Sequence, residues 1–221
     1  MALEAAVQQR GIQHLVHFTT TFNLYGMFQA GGVLSRKCLE ASDVDTTDIM
    51  DFVKFTDEKR YDDPSYINCS IEECNHGLFN TFQQKTKDEM DVHWCVLKLD
   101  AAIMMKPGVL FSRTNAANSH NKRTGGIRPG VAGFEALFLD ELEVRSSRSN
   151  RRLTRHRLSP SQPTDEQAEV LIQDKVGLEA IRQICFLNKE EMAECKAAFD
   201  SCGFDTSKFV VDPSMFRSSR R

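Results

Sequence analysis

His17 and Thr19 stand two residues apart in the stretch Leu15-Val-His-Phe-Thr-Thr-Thr-Phe-Asn-Leu24. On a strand that spacing puts both polar side chains on one face. A helix is expected to follow at once, with Thr20 or Thr21 as cap and Leu24, Met27 and Phe28 as its apolar face. Gly31 suits the left-handed residue that ends it. A polar pair at a strand end beside a helix start is a common way to present a ligand site. Two other groups of residues have chemical potential. Asp57-x-x-Arg60-x-Asp62 carries an arginine that can neutralise a diphosphate or orient a carboxylate in a bidentate way. Gln167-Ala168-Glu169 opens an apolar run, so Glu169 sits at a strand start. A carboxylate placed there can stabilise developing positive charge, or take a proton from an incoming nucleophile.

These residues need elements to hold them. Tyr66–Ile71 alternates Ile67, Cys69 and Ile71 with Tyr66, Asn68 and Ser70, which predicts a strand with one core face. Leu78, Phe79 and Phe82 predict a helix over 76–87. Residues 92–99, apolar on both faces, predict a central strand. A short strand is expected at 109–111. Residues 112–133, rich in Asn, Ser, Gly, Arg and His, have the composition of a long functional loop. A short helix or mixed element is expected over 134–142, a strand over 168–172, a short helix over 177–184 and a strand over 184–187. Asn188 is placed to cap an amphipathic helix, with Glu191 at the capping-box position and Gly203 past its end. Another helix is expected after a cap at Asp45 or Thr46, an edge strand at 209–211 and a frayed tail at 218–221. With no regular alternation of strand and helix, the fold class is α+β with mainly antiparallel strands, in one domain over residues 1–221.

The chain has 221 residues, 41% hydrophobic and 27% charged, as in ordinary globular proteins. No apolar run reaches the roughly 18 residues of a membrane helix, and the N-terminal residues do not read as a secretory signal. Seven cysteines without a C-x-x-C pair argue against a zinc site or a disulfide framework, and for a reducing cytoplasm. His14 and His17 form an H-x-x-H pair with no second ligand cluster, so no metal is expected.

The net charge of −3 hides an asymmetry. Residues 113–157 carry ten Lys and Arg against four Asp and Glu, whereas the segments on either side are acidic. Within that block, Arg145, Arg148, Arg151, Arg152, Arg155 and Arg157 fall inside 13 residues. They read either as a solvated basic loop or as phosphate contacts along a nucleic-acid backbone.

In order along the chain, His17-Phe-Thr19, Asn23-Leu24, Gly31-Gly32, Asp57-x-x-Arg60-Tyr-Asp62, Tyr66-Ile-Asn-Cys-Ser-Ile71, Phe111-Ser-x-x-Asn115-Ala-Ala117 and Gln167-Ala-Glu-Val-Leu171 resemble the DarT-type nucleic-acid ADP-ribosyltransferase toxins. The resemblance covers residues 15–187. It implies an ADP-ribosyltransferase fold, with two small sheets around a cleft, and NAD⁺ as a consumed substrate. It implies Glu169 as the catalytic glutamate and Arg60, or alternatively Arg36, as the essential arginine. His17, Thr19, Asn23 and Gly32 are implied to bind NAD⁺, with Glu169 facing His17 across the cleft. Arg148, Arg151, Arg152, Arg155 and Asn115 would contact single-stranded DNA or RNA. An antitoxin, often an ADP-ribose-removing macrodomain, is the implied partner. The alternatives are transfer to a protein side chain or to water, and a nucleic-acid-binding module without catalysis.

Overall fold

The structure, a computed structural model, describes residues 2–42, 63–89, 92–146 and 150–220. Arg60 with its neighbours Asp57 and Asp62, Arg148, and the helix expected after Asp45 or Thr46 lie outside the described residues.

Helix α1 (Leu3–Gln9) leads into β1 (His14–Thr20), and α2 (Thr21–Ala30) begins at the next residue. The Gly31 φ of 68° closes α2, because only a left-handed residue lets the chain reverse there. β2 (Gly32–Leu34) and α3 (Arg36–Glu40) follow, then β3 (Tyr66–Ile71), α4 (His76–Thr86) and β4 (Trp94–Asp100). β5 (Leu110–Ser112), α5 (Ser119–Arg123), β6 (Ile127–Pro129) and α6 (Gly130–Glu135) come next. β7 (Glu141–Arg145) and β8 (Asn150–Thr154) form a hairpin. β9 (Glu169–Gln173), β10 (Lys175–Gly177), β11 (Ile181–Phe186), α7 (Lys189–Ser201) and β12 (Phe209–Val211) complete the order.

The main sheet has eight strands in the order β12-β11-β4-β1-β3-β9-β5-β6, larger than the two small sheets expected. Its pairings are antiparallel except β11 with β12. The expectation of two sheets nevertheless has a physical counterpart. β1 pairs with β4 over seven residues, yet with β3 only at Leu15↔Ile71 and Val16↔Ser70. Beyond Val16 the register stops, and the sheet has a seam between two four-stranded halves.

The core runs through both halves. Leu15, Leu97, Leu99, Phe111, Phe134, Val170 and Phe186 are all buried in one cluster. A second cluster lies under β1 and α4, where the Phe18 and Phe79 rings stack at 4.6 Å and Trp94 meets both. Burial of each such ring contributes about 1.5–3 kcal/mol.

Several local expectations are corrected. Residues 112–133 hold α5, β6 and the start of α6 rather than one long loop. Their polar residues have partners inside the segment: Asn118 caps α5, and Asn121 bonds Ser112 and Arg113. Residues 145–157 are half hairpin, with Glu143 opposite Arg152 across the ladder. Residues 177–184 form a 3₁₀ turn and then strand, not a helix, because pairing of β11 with β4 overrides the helical preference of Leu-Glu-Ala. Thr20 occupies the cap position of α2, but its hydroxyl makes no capping bond and is buried without a partner. Residues 218–220 are not frayed: Ser219 bonds Glu73, and Arg220 donates to the Pro163 carbonyl.

Candidate active site

The seam is where the polar residues of β1 gather. At the first position past the paired residues, the His17 ring crosses to β3, and its Nδ1 lies 2.9 Å from the Asn68 carbonyl oxygen. A carbonyl only accepts, so Nδ1 carries the proton and Nε2 of the neutral ring is a free-standing acceptor. The ring thereby links β1 to the β3 backbone beyond the last paired residues. Burial holds the His17 pKa below its ordinary value, and the Asn68 carbonyl only partly offsets this. Thr19 is buried, and its hydroxyl accepts a hydrogen bond from the Asn23 amide of α2 at 3.1 Å. Strand and helix are thus tied one turn past their junction.

Glu169 opens β9 on the other side of the seam. Only 7% exposed, its carboxylate accepts from the Ala116 N–H at 2.6 Å and the Asn115 amide at 3.3 Å. A backbone bond to a carboxylate is charge-assisted and holds the side chain firmly. β5 and β9 pair Ser112 with Glu169, which brings the turn at 114–116 over the strand start. Cys69, buried in β3, has its thiol pushed up to about 12 by burial and, next, by the Glu169 charge. Continuing the β3–β9 register by one residue sets Ser70 beside Glu169, and Ser70 pairs with Val16. Glu169 therefore lies two strands from β1, about 10 Å at the usual strand spacing, and nearly level with His17. The two stand in opposite halves of one continuous sheet, with β3 between them.

The remaining expected residues fall into different places. Gly32 has a structural reason of its own: at φ 154°, a Cβ there would sit 2.2 Å from the Val176 carbonyl oxygen of the paired strand β10. Arg36, half-buried, begins α3 behind the Ser35 cap. Asn115 contacts Glu169, so its side chain serves the carboxylate. Arg155 donates to the carbonyls of Ser159 and Gln162 and shapes its own loop. Arg152 is exposed and pairs with Glu141 at 2.6 Å. Arg151 reaches Asp165 and Gln167, at the entry to β9. Thr114 and Asp165, linked at 2.6 Å, were not singled out from the sequence. The Thr164-Asp165 pair just ahead of Gln167-x-Glu169 was the available signal. Among the described residues, no group of three His, Cys, Asp or Glu side chains is placed to hold a metal, and no helix is long and apolar enough to cross a membrane.

Such an arrangement sets a fixed, nearly buried carboxylate at the start of β9 and a neutral imidazole on β1, in the two halves of one sheet. Comparison with known proteins gives it a family. The family model described as "ssDNA thymidine ADP-ribosyltransferase, DarT" matches residues 16–217. Among solved structures, Thermus sp. 2.9 DarT in complex with carba-NAD⁺ is similar, with a TM-score of 0.60 at 13% identity, over 93% of this chain and 98% of that one. The same protein in complex with ADP-ribosylated ssDNA gives 0.56 at 13% identity, over 94% and 97%. Thermosipho africanus DarTG in complex with ADP-ribose gives 0.53 at 14% identity; the match covers 92% of this chain and only 51% of that one. No curated protein matches the chain. The likeness to solved structures establishes the fold, and the family match over residues 16–217 establishes that the chain belongs to the DarT family.

Proposed function

We propose that this protein transfers ADP-ribose from NAD⁺ to thymidine in single-stranded DNA, with NAD⁺ consumed as a substrate. The observation that carries the reading is Glu169: a nearly buried carboxylate at the start of β9, fixed by Ala116 and Asn115. The family description supplies the acceptor, DNA rather than RNA. Cleavage of the bond from ribose to nicotinamide develops positive charge on the ribose carbon, which a nearby carboxylate stabilises. Glu169 fills that role and takes the proton that the acceptor base gives up. His17, Thr19 and Asn23 form the wall for the nicotinamide ribose and carboxamide, with Arg60 or Arg36 for the diphosphate. Arg152 and the rest of the β7–β8 hairpin lie toward the DNA backbone.

The protein acts as one domain over residues 1–221, supported by a core that spans both half-sheets. A cytoplasmic location is supported by seven free cysteines. A toxin role, opposed by an ADP-ribose-removing macrodomain antitoxin, fits the family. It is supported by the Thermosipho africanus DarTG chain, about half of which lies beyond the match.

The test is incubation with NAD⁺ and matched thymidine-containing DNA and RNA oligonucleotides, followed by mass spectrometry of the nucleosides. ADP-ribosylated thymidine from the single-stranded DNA alone is expected. Glu169→Ala is expected to lower the rate by about 10²–10³-fold, as for loss of a preorganised electrostatic group. Folded wild-type protein that labels no DNA refutes the reading. Nicotinamide release without label would identify water as the acceptor.

A further inference from the structure

Among the described residues, only two carboxylate side chains belong to buried residues, Glu169 at 7% exposure and Asp165 at 1%. They share the same two pieces of chain. Asp165 Oδ2 accepts from the Thr114 hydroxyl at 2.6 Å and from the Arg151 guanidinium at 3.2 Å. Its Oδ1 accepts from the Gln167 N–H at 3.1 Å, and its carbonyl accepts from the Ala168 N–H at 3.0 Å. Thr114 directly precedes Asn115 and Ala116, which both donate to Glu169. Gln167 and Ala168 directly precede Glu169 itself. Asp165 therefore holds both the turn that grips the Glu169 carboxylate and the backbone from which Glu169 projects.

We infer that Asp165 is a positioning residue for the transferase reaction, setting the place of the Glu169 carboxylate through Thr114 and Gln167, with Arg151 as its counter-charge. The inference rests on the ADP-ribosyltransferase reading above. Its chemical basis is that a buried carboxylate keeps its place only when paired and hydrogen-bonded. Asp165 meets that condition with donors from three separate segments, 113–116, β8 and 165–168. Small displacements of a reacting group are costly, whereas ground-state binding of NAD⁺ by the opposite wall is not expected to sense them. Arg151, one of the arginines expected on DNA, thereby has a second task at the entry to the site.

Wild type, Asp165→Asn, Thr114→Val and Thr114→Ser are compared as full chains. Each receives NAD⁺ and a thymidine-containing single-stranded oligonucleotide, and both labelled DNA and released nicotinamide are read. Asp165→Asn and Thr114→Val are expected to lower kcat about 10- to 100-fold, with KM for NAD⁺ within about twofold of wild type. Thr114→Ser keeps the hydroxyl and is expected to restore most of kcat. Where Asp165→Asn fails to fold, the Thr114 pair decides. Wild-type kcat in Asp165→Asn, a loss carried by KM, or equal losses in Thr114→Val and Thr114→Ser overturns the inference. A wild-type protein that neither labels DNA nor releases nicotinamide overturns the activity reading and this inference with it; an active wild type beside a fully active Asp165→Asn overturns this inference alone.

Discussion

At the scale of single residues, burial governs the proton on the His17 ring. His17 has its pKa held below the ordinary value by burial, the Asn68 carbonyl pulling weakly the other way. The unfolded chain takes up this proton near pH 6.5, before the folded ring does. Stability contributed by the neutral ring is therefore complete above about pH 6.5, and is lost as the pH falls through the lowered folded value. His14 and His76 are shifted in the same direction, burial again being the largest cause. Melting temperature is thus expected to fall on acidification below about pH 6.5, and His17→Gln is expected to flatten part of that slope. The same variant should lose the acid limb of kcat/KM for NAD⁺. A scan of Tm and kcat/KM against pH checks both, and an identical slope in the variant would remove His17 from the account. Type, spacing and motif order single out His17 and Glu169 in the sequence, and the fold places both on strands of the main sheet. Asp165 was not legible there. Its partners Thr114 and Arg151 stand 51 and 14 positions away, and only the folded turn brings them together.

At the scale of elements, strands with a strict alternation were readable and segments defined by long-range pairing were not. β3 shows the expected alternation, with Ile67, Cys69 and Ile71 buried. The capped helix α7 begins after Asn188, which accepts from the Glu191 N–H. The β7–β8 hairpin escaped detection because its charged residues read as a loop, though Leu142 and Val144 face inward. On that hairpin Arg152 is 73% exposed at its side chain, so its pair with Glu141 adds little stability. If it meets a phosphate, Arg152→Gln should weaken DNA binding evenly across sequences and lower the salt slope by about one. Affinity titrations at several salt concentrations measure this, and an unchanged slope places the DNA elsewhere. Gly32→Ala tests another element. Its methyl would meet the Val176 carbonyl, so β2 and β10 must part, at a cost of about 1–3 kcal/mol. Denaturant unfolding reads that loss, and a wild-type midpoint would show that the strands adjust freely.

At the scale of the whole molecule, the sequence supported the α+β class and the antiparallel bias but not the size of the sheet. The ladder between the halves has two residue pairs, Leu15↔Ile71 and Val16↔Ser70, with the Glu72 N–H donating to the His14 carbonyl beside them, and no local pattern marks so short a contact. That narrow join has a consequence for motion. Elsewhere β1 is zipped to β4 along its full length, so opening there must break the core. Past Val16 and Ser70 the β1–β3 ladder ends, so opening of that stretch is expected to be a local event. Amide hydrogen exchange should therefore draw a line of fast-exchanging positions down the middle of an otherwise slow sheet. Under the proposed placement of NAD⁺ along the gap, its binding is expected to erase that line, so exchange there would report substrate occupancy.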